Sequence, residues 1–553
     1  MTGSTKRLLP AVALGILLLW IVGYPLLITG LESLGLPGDP TIGNFAEFVE
    51  HSDEWLALWR SLWISAASAI LAGLVGVPLA FVFERTEFPG RRLLGALIAL
   101  PVALPPLVGV IAFLFLYGES GFITRVAQYL MGLSRPPWRL GGPGAILLVH
   151  VYSMYVYFYL FTRAALARLD ASLLEAAAIS GAGRWRIFRR VTLPLLKPAL
   201  VGAALLTFMT SLGSFSAPYL FGGSFRVMTT QIVASKLNGE LGLAQVETVA
   251  LALAALVGLW FMRRLDAGRT AVIGGVRGIA PVRRIVQRPL ARAGVTAAGW
   301  LLTLVLLLPH LTLVVISFVP PVTWTTELLP PVLDLSNYRE VASGGERLRP
   351  VLNSLWMALA ASFGALALGL AAARSSLAHG GRLGRALETL TVLPWAIPGT
   401  VFAVALATAF SADQPYLGRF ILVGTPWILP LAYLVRSLPL TGRSAFAGLR
   451  QLDPSLEEAA AILGAGRWRT LRRVTLPMLR PALVAGLGLA FITALGDFVT
   501  SIVLYTYDTR PISIEILSSL RLQETGVAAV YGVLLMIGSA IAFSIWGGRE
   551  DRT

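Results

Sequence analysis

Cysteine is absent from all 553 residues, which excludes disulfides, thiolate metal sites and iron–sulfur ligation. Charge is sparse as well: Asp, Glu, Lys and Arg make up 13% of the chain, against about 25% in soluble domains. Lysine is nearly missing, represented only by Lys6, Lys197 and Lys236. None of the three closes a Gly-x-x-x-x-Gly-Lys-Ser/Thr string, so the chain has no such loop to cradle ATP phosphates. It also lacks a His-Glu-x-x-His string, a cluster of metal ligands and any nucleophile–base constellation, so neither catalytic nor metal residues are expected.

What the chain has is apolar sequence: 56% of residues are hydrophobic and the mean hydropathy is +0.74. A soluble core cannot absorb that much apolar surface, so lipid is the expected solvent. A spanning helix needs about 20 predominantly apolar residues, because the hydrocarbon layer is about 30 Å thick. Runs of that kind occupy 8–30, 58–83, 93–117, 142–166, 196–221 and 243–262, then 294–318, 354–373, 386–410, 419–441, 480–505 and 525–546. Twelve spans are predicted, six on each side of a polar joint, in an all-α polytopic membrane protein. The first run follows Lys6 and Arg7 and has no clear small-x-small cleavage site after it, so it is expected to be a retained span.

The net charge of +16 would suggest nucleic acid in a soluble protein. Here the basic residues crowd into a few loops between apolar runs, without the interleaved aromatics of a nucleic-acid reader. Loops 84–92, 167–195, 374–385 and 442–479 are Arg-rich, and Arg263–Arg292 holds eight arginines against Asp266. Loop 31–57 is acidic instead, with Glu32, Asp39, Glu47, Glu50, Asp53 and Glu54. Twelve spans with cytoplasmic termini put every basic loop inside and the acidic loop outside, as the positive-inside rule requires.

Residues 175–200, EAAAISGAGRWRIFRRVTLPLLKPAL, recur at 458–483 as EAAAILGAGRWRTLRRVTLPMLRPAL. The shift from Glu175 to Glu458 is 283 residues, and five of the 26 paired positions differ. Upstream, Ser61-Leu62-Trp63 echoes Ser354-Leu355-Trp356 and Pro101 echoes Pro394, both at a shift of 293. Six spans per half is an even number, so the halves are parallel repeats about an axis along the membrane normal. A substrate route is expected on that axis.

Ser172-x-x-Glu175 and Ser455-x-x-Glu458 fit a capping box, with Ser as the N-cap of a short Ala-rich helix. Gly181 and Gly464 follow, where a left-handed glycine would end that helix. A second, arginine-bearing helix is expected to stop at Leu193-Pro194 and Leu476-Pro477.

The string Glu-Ala-Ala, three residues, Gly, nine residues, then aliphatic-x-Leu-Pro resembles the cytoplasmic EAA loop of permeases in binding-protein-dependent ABC importers. It matches at Glu175, Ala176, Ala177, Gly181, Val191, Leu193 and Pro194, and again at Glu458, Ala459, Ala460, Gly464, Val474, Leu476 and Pro477. The resemblance covers nearly the whole chain. It implies two type I transmembrane domains, with halves 1–262 (core about 57–262) and 293–553 (core about 350–546) around a basic linker, 263–292. It also implies an inner-membrane location, two copies of a separate ATPase subunit docked on the loops and an extracytoplasmic substrate-binding protein. No cofactor is bound by this chain itself, since ATP is used by the partner. Glu175 and Glu458 are open to a second reading, as plain helix caps.

An ion-coupled secondary transporter is the rival class, and it would need several ionisable groups at membrane depth. Asp497 is one candidate, standing at the position of Ser214 in the first half. It either lines the route with Ser211 and Ser214, or is an acid satisfied by hydroxyls such as those of Thr493 and Thr500. His150 is expected to be a hydrogen-bonded packing residue. Fused permeases of this layout resemble those for ferric iron, thiamine and aminoalkylphosphonate. Phe88–Leu93 and Ala171–Ala177 look most like the ferric group, with polyamines a further alternative.

Overall fold

The computed structural model describes residues 5–36, 38–103, 105–266, 283–285, 287–320, 330–411 and 420–547. Ten of its helices are long and apolar enough to cross a membrane. They are Leu8–Ser33, Ser52–Arg85, Pro106–Leu130, Gly142–Ala167, Arg184–Leu212, Leu241–Met262, Pro289–Ser317, Gly345–His379, Trp468–Leu495 and Thr525–Ile545. A bent pair, Gly381–Ala396 and Gly399–Ala409, which meet at 112°, makes an eleventh when the two helices are counted as one span. The twelfth predicted span is present as a helix, Ile428–Gln451. Its arginines, Arg436, Arg443 and Arg450, make it less apolar than the others, and it is packed inside the protein through Leu429, Ala432, Val435 and Leu438. Residues 412–419, just before it, lie outside the described residues.

Two predicted spans end earlier than expected. The helix in 196–221 stops at Leu212 and the one in 480–505 stops at Leu495, each followed by a short separate helix, Ser216–Phe221 or Val499–Leu504. The run 93–117 is likewise broken, into Arg91–Ala99, a 3₁₀ turn and Pro106–Tyr117. In each case hydropathy stays high across the break, so composition alone did not mark it.

Lipid gives helices no hydrophobic reason to associate, so close packing has to hold them together. Gly76 and Gly369, 293 residues apart, show how this is done. A Cβ on Gly76 would lie 2.3 Å from Tyr155 O, and one on Gly369 would lie 2.9 Å from Gly442 N. Outward-facing Leu19, Ile70, Leu74, Leu301 and Ile541 stay exposed, as suits a lipid boundary.

The first span of each half packs on the opposite half. Leu8–Ser33 lies against Gly381–Ala396 and Gly399–Ala409, with the Trp20 and Phe410 rings 5.3 Å apart. Pro289–Ser317 lies against Arg91–Ala99 and Pro106–Tyr117, and Tyr152 Oη donates to Leu306 O at 2.5 Å. One continuous apolar cluster therefore includes Ile28, Leu107, Ile111 and Phe215 together with Leu313, Phe410, Tyr433 and Phe498. Most of the linker, 267–282, lies outside the described residues, but its end is docked on the first half. Arg284–Ile285 pairs in parallel with Thr86–Glu87, and Arg283 Nη2 donates to Glu84 Oε1 at 2.8 Å.

Candidate docking loops and paired helix breaks

The repeated loop folds the same way in both halves. Its first helix is Ala171–Ile179 in one and Pro454–Ile462 in the other. The N-caps are Asp170 and Asp453, which accept from Ser172 N and Ser455 N at 3.0 Å each. This corrects the assignment of Ser172 and Ser455. A carboxylate beside the positive helix start is the stronger acceptor, so the helix begins before the serine. The Ser455 backbone and side-chain hydrogen bonds also hold the Asp453 carboxyl below its ordinary value. Glu175 and Glu458 then fall beyond the first turn and are exposed. In the second loop it is Glu457 that engages, accepting from Thr475 Oγ1 at 2.7 Å.

Gly181 and Gly464 end these helices at φ of +80° and +76°. Ala182 N reaches back to Ala177 O, and Ala465 N to Ala460 O. No atom lies within 4 Å of an added Cβ at either glycine. The requirement is therefore the left-handed backbone, for which glycine has no Cβ penalty. Ala176 and Ala459 are exposed, Ala177 is partly so and Ala460 is buried. Large apolar side chains stand out into solvent around them: Ile179 (88% exposed) and Trp185 (71%) on one loop, Ile462 (86%) and Trp468 (70%) on the other.

The second loop helix does not stop at its Leu-Pro. Arg184–Ile187 continues through a five-residue π turn, Phe188–Thr192, into Leu193–Leu212. Leu193 N bonds five residues back to Phe188 O, and Leu476 N does the same to Leu471 O. Proline is tolerated in a helix's first turn, and Pro194 and Pro477 occupy that place after the wider turn. Each loop is thereby joined to its span as one rod.

Each rod ends at a break: Gly213-Ser214-Phe215 and Gly496-Asp497-Phe498, again 283 residues apart. The breaks meet between the halves, with the Phe215 and Phe498 ring centroids 5.6 Å apart. Gly213 abuts Pro398 of the opposite half at 3.5 Å from a built Cβ, and Gly496 abuts Pro105 at 2.4 Å. The opened carbonyls share one donor pattern, and Asp497 O takes a second bond, from Ser501 Oγ at 2.6 Å. Thr229 Oγ1 donates to Ser214 O and Ser513 Oγ to Asp497 O, both at 2.8 Å. The helices bearing these donors, Met228–Leu237 and Ile512–Arg521, are pinned at their starts by Ser61 and Ser354. Met228 N donates to Ser61 Oγ and Ile512 N to Ser354 Oγ, each at 2.8 Å. The Ser-Leu-Trp echo in the sequence is thus a backbone anchor.

Side chains at the two breaks differ. His150 Nδ1 is 3.0 Å from Ser68 Oγ and 3.1 Å from Ser211 Oγ, and its Nε2 is 2.9 Å from Ser214 Oγ. Ser211 and Ser214 are thus brought together, through a buried His150 that packs and hydrogen-bonds. In the second half Asp497 is ion-paired with Arg436, and its other oxygen accepts from Thr500 N at 2.8 Å and from Thr500 Oγ1. Thr493 is not a partner; it donates to its own helix at Leu489 O. Sequence reasoning missed Arg436, although an arginine within the run 419–441 was itself the signal. Among the described residues, no group of three or more His, Asp or Glu stands where it could hold a metal.

The chain has relatives across its length. The family model for the binding-protein-dependent transport system inner membrane component matches residues 74–270 and again 365–547. The probable ABC transporter permease protein y4fN of Sinorhizobium fredii is 34% identical over 488 residues, covering 87% of this chain and 85% of that one. The ferric transport system permease protein FbpB of Actinobacillus pleuropneumoniae is 28% identical, covering 86% and 69%. The thiamine transport system permease protein ThiP of Escherichia coli is 26% identical, covering 89% and 90%. With both halves matched, and one relative above 30% identity along most of both chains, this protein belongs to the inner-membrane permease components of binding-protein-dependent ABC importers, with two permease units in one polypeptide.

Proposed function

We propose that the chain forms the translocation route of an ATP-driven importer, between its two halves, and couples it to two copies of a separate ATPase subunit through its repeated loops. The observation that carries this reading is the pair of unbroken rods, each running from a loop to a helix break that touches its counterpart. A displacement of either loop is delivered along the helix to the centre of the molecule. Glu175, Ala176, Ala177 and Gly181, with Glu458, Ala459 and Gly464, present the docking surface, Ala460 supports it from beneath, and the exposed Ile179, Trp185, Ile462 and Trp468 supply apolar contact. Hydrolysis lies with the partner, because this sequence has no phosphate-binding glycine loop. In the same proposal 1–262 and 293–553 are the permease halves, the basic linker 263–292 and both termini face the cytoplasm, and a binding protein delivers substrate from outside.

We further assign iron(III) as substrate and Ser211, Ser214 and Asp497 as residues beside the route. Kinship with FbpB supports the first; likeness to ThiP over most of its length favours thiamine as the second reading. Arg436 neutralises Asp497, so the route offers no unpaired carboxylate at this point. Selectivity then falls to the binding protein. The test is uptake by vesicles holding the permease, its ATPase and its binding protein. Iron uptake that needs ATP is expected. Gly464→Trp is expected to lower it by about 5–150-fold, the span of a coupling free energy of about 1–3 kcal/mol, with the permease still folded. Uptake without ATP would sink the importer reading. Uptake of thiamine, or of an oxyanion, in place of iron would reassign the substrate.

A further inference from the structure

Two buried carboxyl groups lie at one end of the first half, away from the loops and breaks. Glu54 opens the helix Ser52–Arg85, and Glu247 lies in the second turn of Leu241–Asp266. They are 3% and 0% exposed. One oxygen of each is satisfied: Gln231 Nε2 donates to Glu54 Oε1 and Ser235 Oγ to Glu247 Oε1, both at 2.8 Å. The remaining Oε2 atoms are buried with no other partner, and the donors that hold the two carboxyl groups, Gln231 and Ser235, stand one turn apart on the helix Met228–Leu237. Among the described residues neither forms an ion pair with a lysine or arginine. Two unpaired charges so placed would repel each other in a medium that cannot screen them.

We propose that Glu54 and Glu247 form a proton-binding site, holding one proton between their Oε2 atoms. That proton turns a repulsion into a hydrogen bond and satisfies both orphaned oxygens. The site ties together the starts of two spans and the helix Met228–Leu237, which carries Gln231 and Ser235. The same helix reaches the break, through Thr229 Oγ1 to Ser214 O. Loss of the proton therefore loosens the support of one break. The charged and titratable groups on the surrounding elements are His51 and Asp53 beside Glu54, Arg226 and Lys236 flanking or on Met228–Leu237, and Glu240 before Leu241. Glu47 and Glu50 lie on Gly43–Glu50, and Glu32 is held by Gln245. The described residues of the second half hold no such site at the matching positions. The positions of Glu54 and Glu247 are taken there by Arg347 and Tyr531, and Arg347 is paired with Glu524 at 2.6 Å.

The full chain in lipid nanodiscs provides the test. Infrared spectra at neutral pH are expected to show the carbonyl band of a protonated carboxyl that disappears in Glu247→Gln and in Glu54→Gln, but not in Glu240→Gln. An unchanged band in both variants would overturn the proposal. So would failure of both variants to fold, because a neutral side chain at one position is what a shared proton already provides.

Discussion

The two helix breaks have one backbone and two chemistries. At Gly213–Phe215 and Gly496–Phe498 the same interruption is held by the same donor pattern, Thr229 or Ser513 on the opened carbonyl and Ser61 or Ser354 at the start of the supporting helix. Around this shared frame the first half builds a neutral network on His150, whereas the second builds an ion pair, Arg436 with Asp497. The frame answers a demand that no side chain can vary: a carbonyl released from a helix within lipid has to find a donor. The side chains answer a softer demand, to fill and neutralise the space beside it, which more than one chemistry satisfies. The loops at the other ends of the rods are nearly identical, so divergence is concentrated at the centre.

Substitutions can break that comparison. The largest effect is expected from Asp497→Ala, which strands Arg436. The loss should be about 3 kcal/mol, at the low end for breaking a buried pair, because a quarter of the Arg436 side chain stays exposed. Ser214→Ala removes one neutral hydrogen bond and should cost about 1 kcal/mol. Equal losses in denaturant titrations of the two variants would show that the ion pair is not what distinguishes the breaks. Next come Gly76→Ala and Gly369→Ala, each forcing backbone apart for about 1–3 kcal/mol. The tighter approach at Tyr155 O makes Gly76→Ala the worse of the two in melting temperature. The smallest pair sharpens the shared frame: Thr229→Val should cost about 1 kcal/mol, and Ser513→Ala less, because Ser501 Oγ still donates to Asp497 O. Equal losses would show that Ser501 does not support the second break.

Much of this was legible in the sequence, for identifiable reasons. Spans were legible because lipid demands long apolar runs, and the loops because the repeat from Glu175 to Glu458 is nearly unbroken. Gly181 and Gly464 were legible because a helix end calls for left-handed backbone. The breaks were not, because Gly213 and Gly496 sit in runs that stay apolar throughout, and the bond that supports each comes from a helix more than ten residues on. The continuation through Pro194 was hidden because a π turn is a matter of hydrogen-bond register, invisible to composition. Asp497 drew attention as a lone acid. Its partner escaped notice because Arg436 lies 61 residues earlier and meets it only in the packed fold.

The crossing of first spans has a consequence for the order in which the molecule is made. Leu8–Ser33 emerges from the ribosome hundreds of residues before Gly399–Ala409, the surface it finally rests on. It must wait in the bilayer with that face turned to lipid, which a segment of mean hydropathy 2.4 tolerates. Pro289–Ser317 arrives to find its seat, Pro106–Tyr117, already synthesised. Assembly is thus a lock with two bolts thrown at different times: the second half enters holding the bolt for the first, and only its later helices close the other.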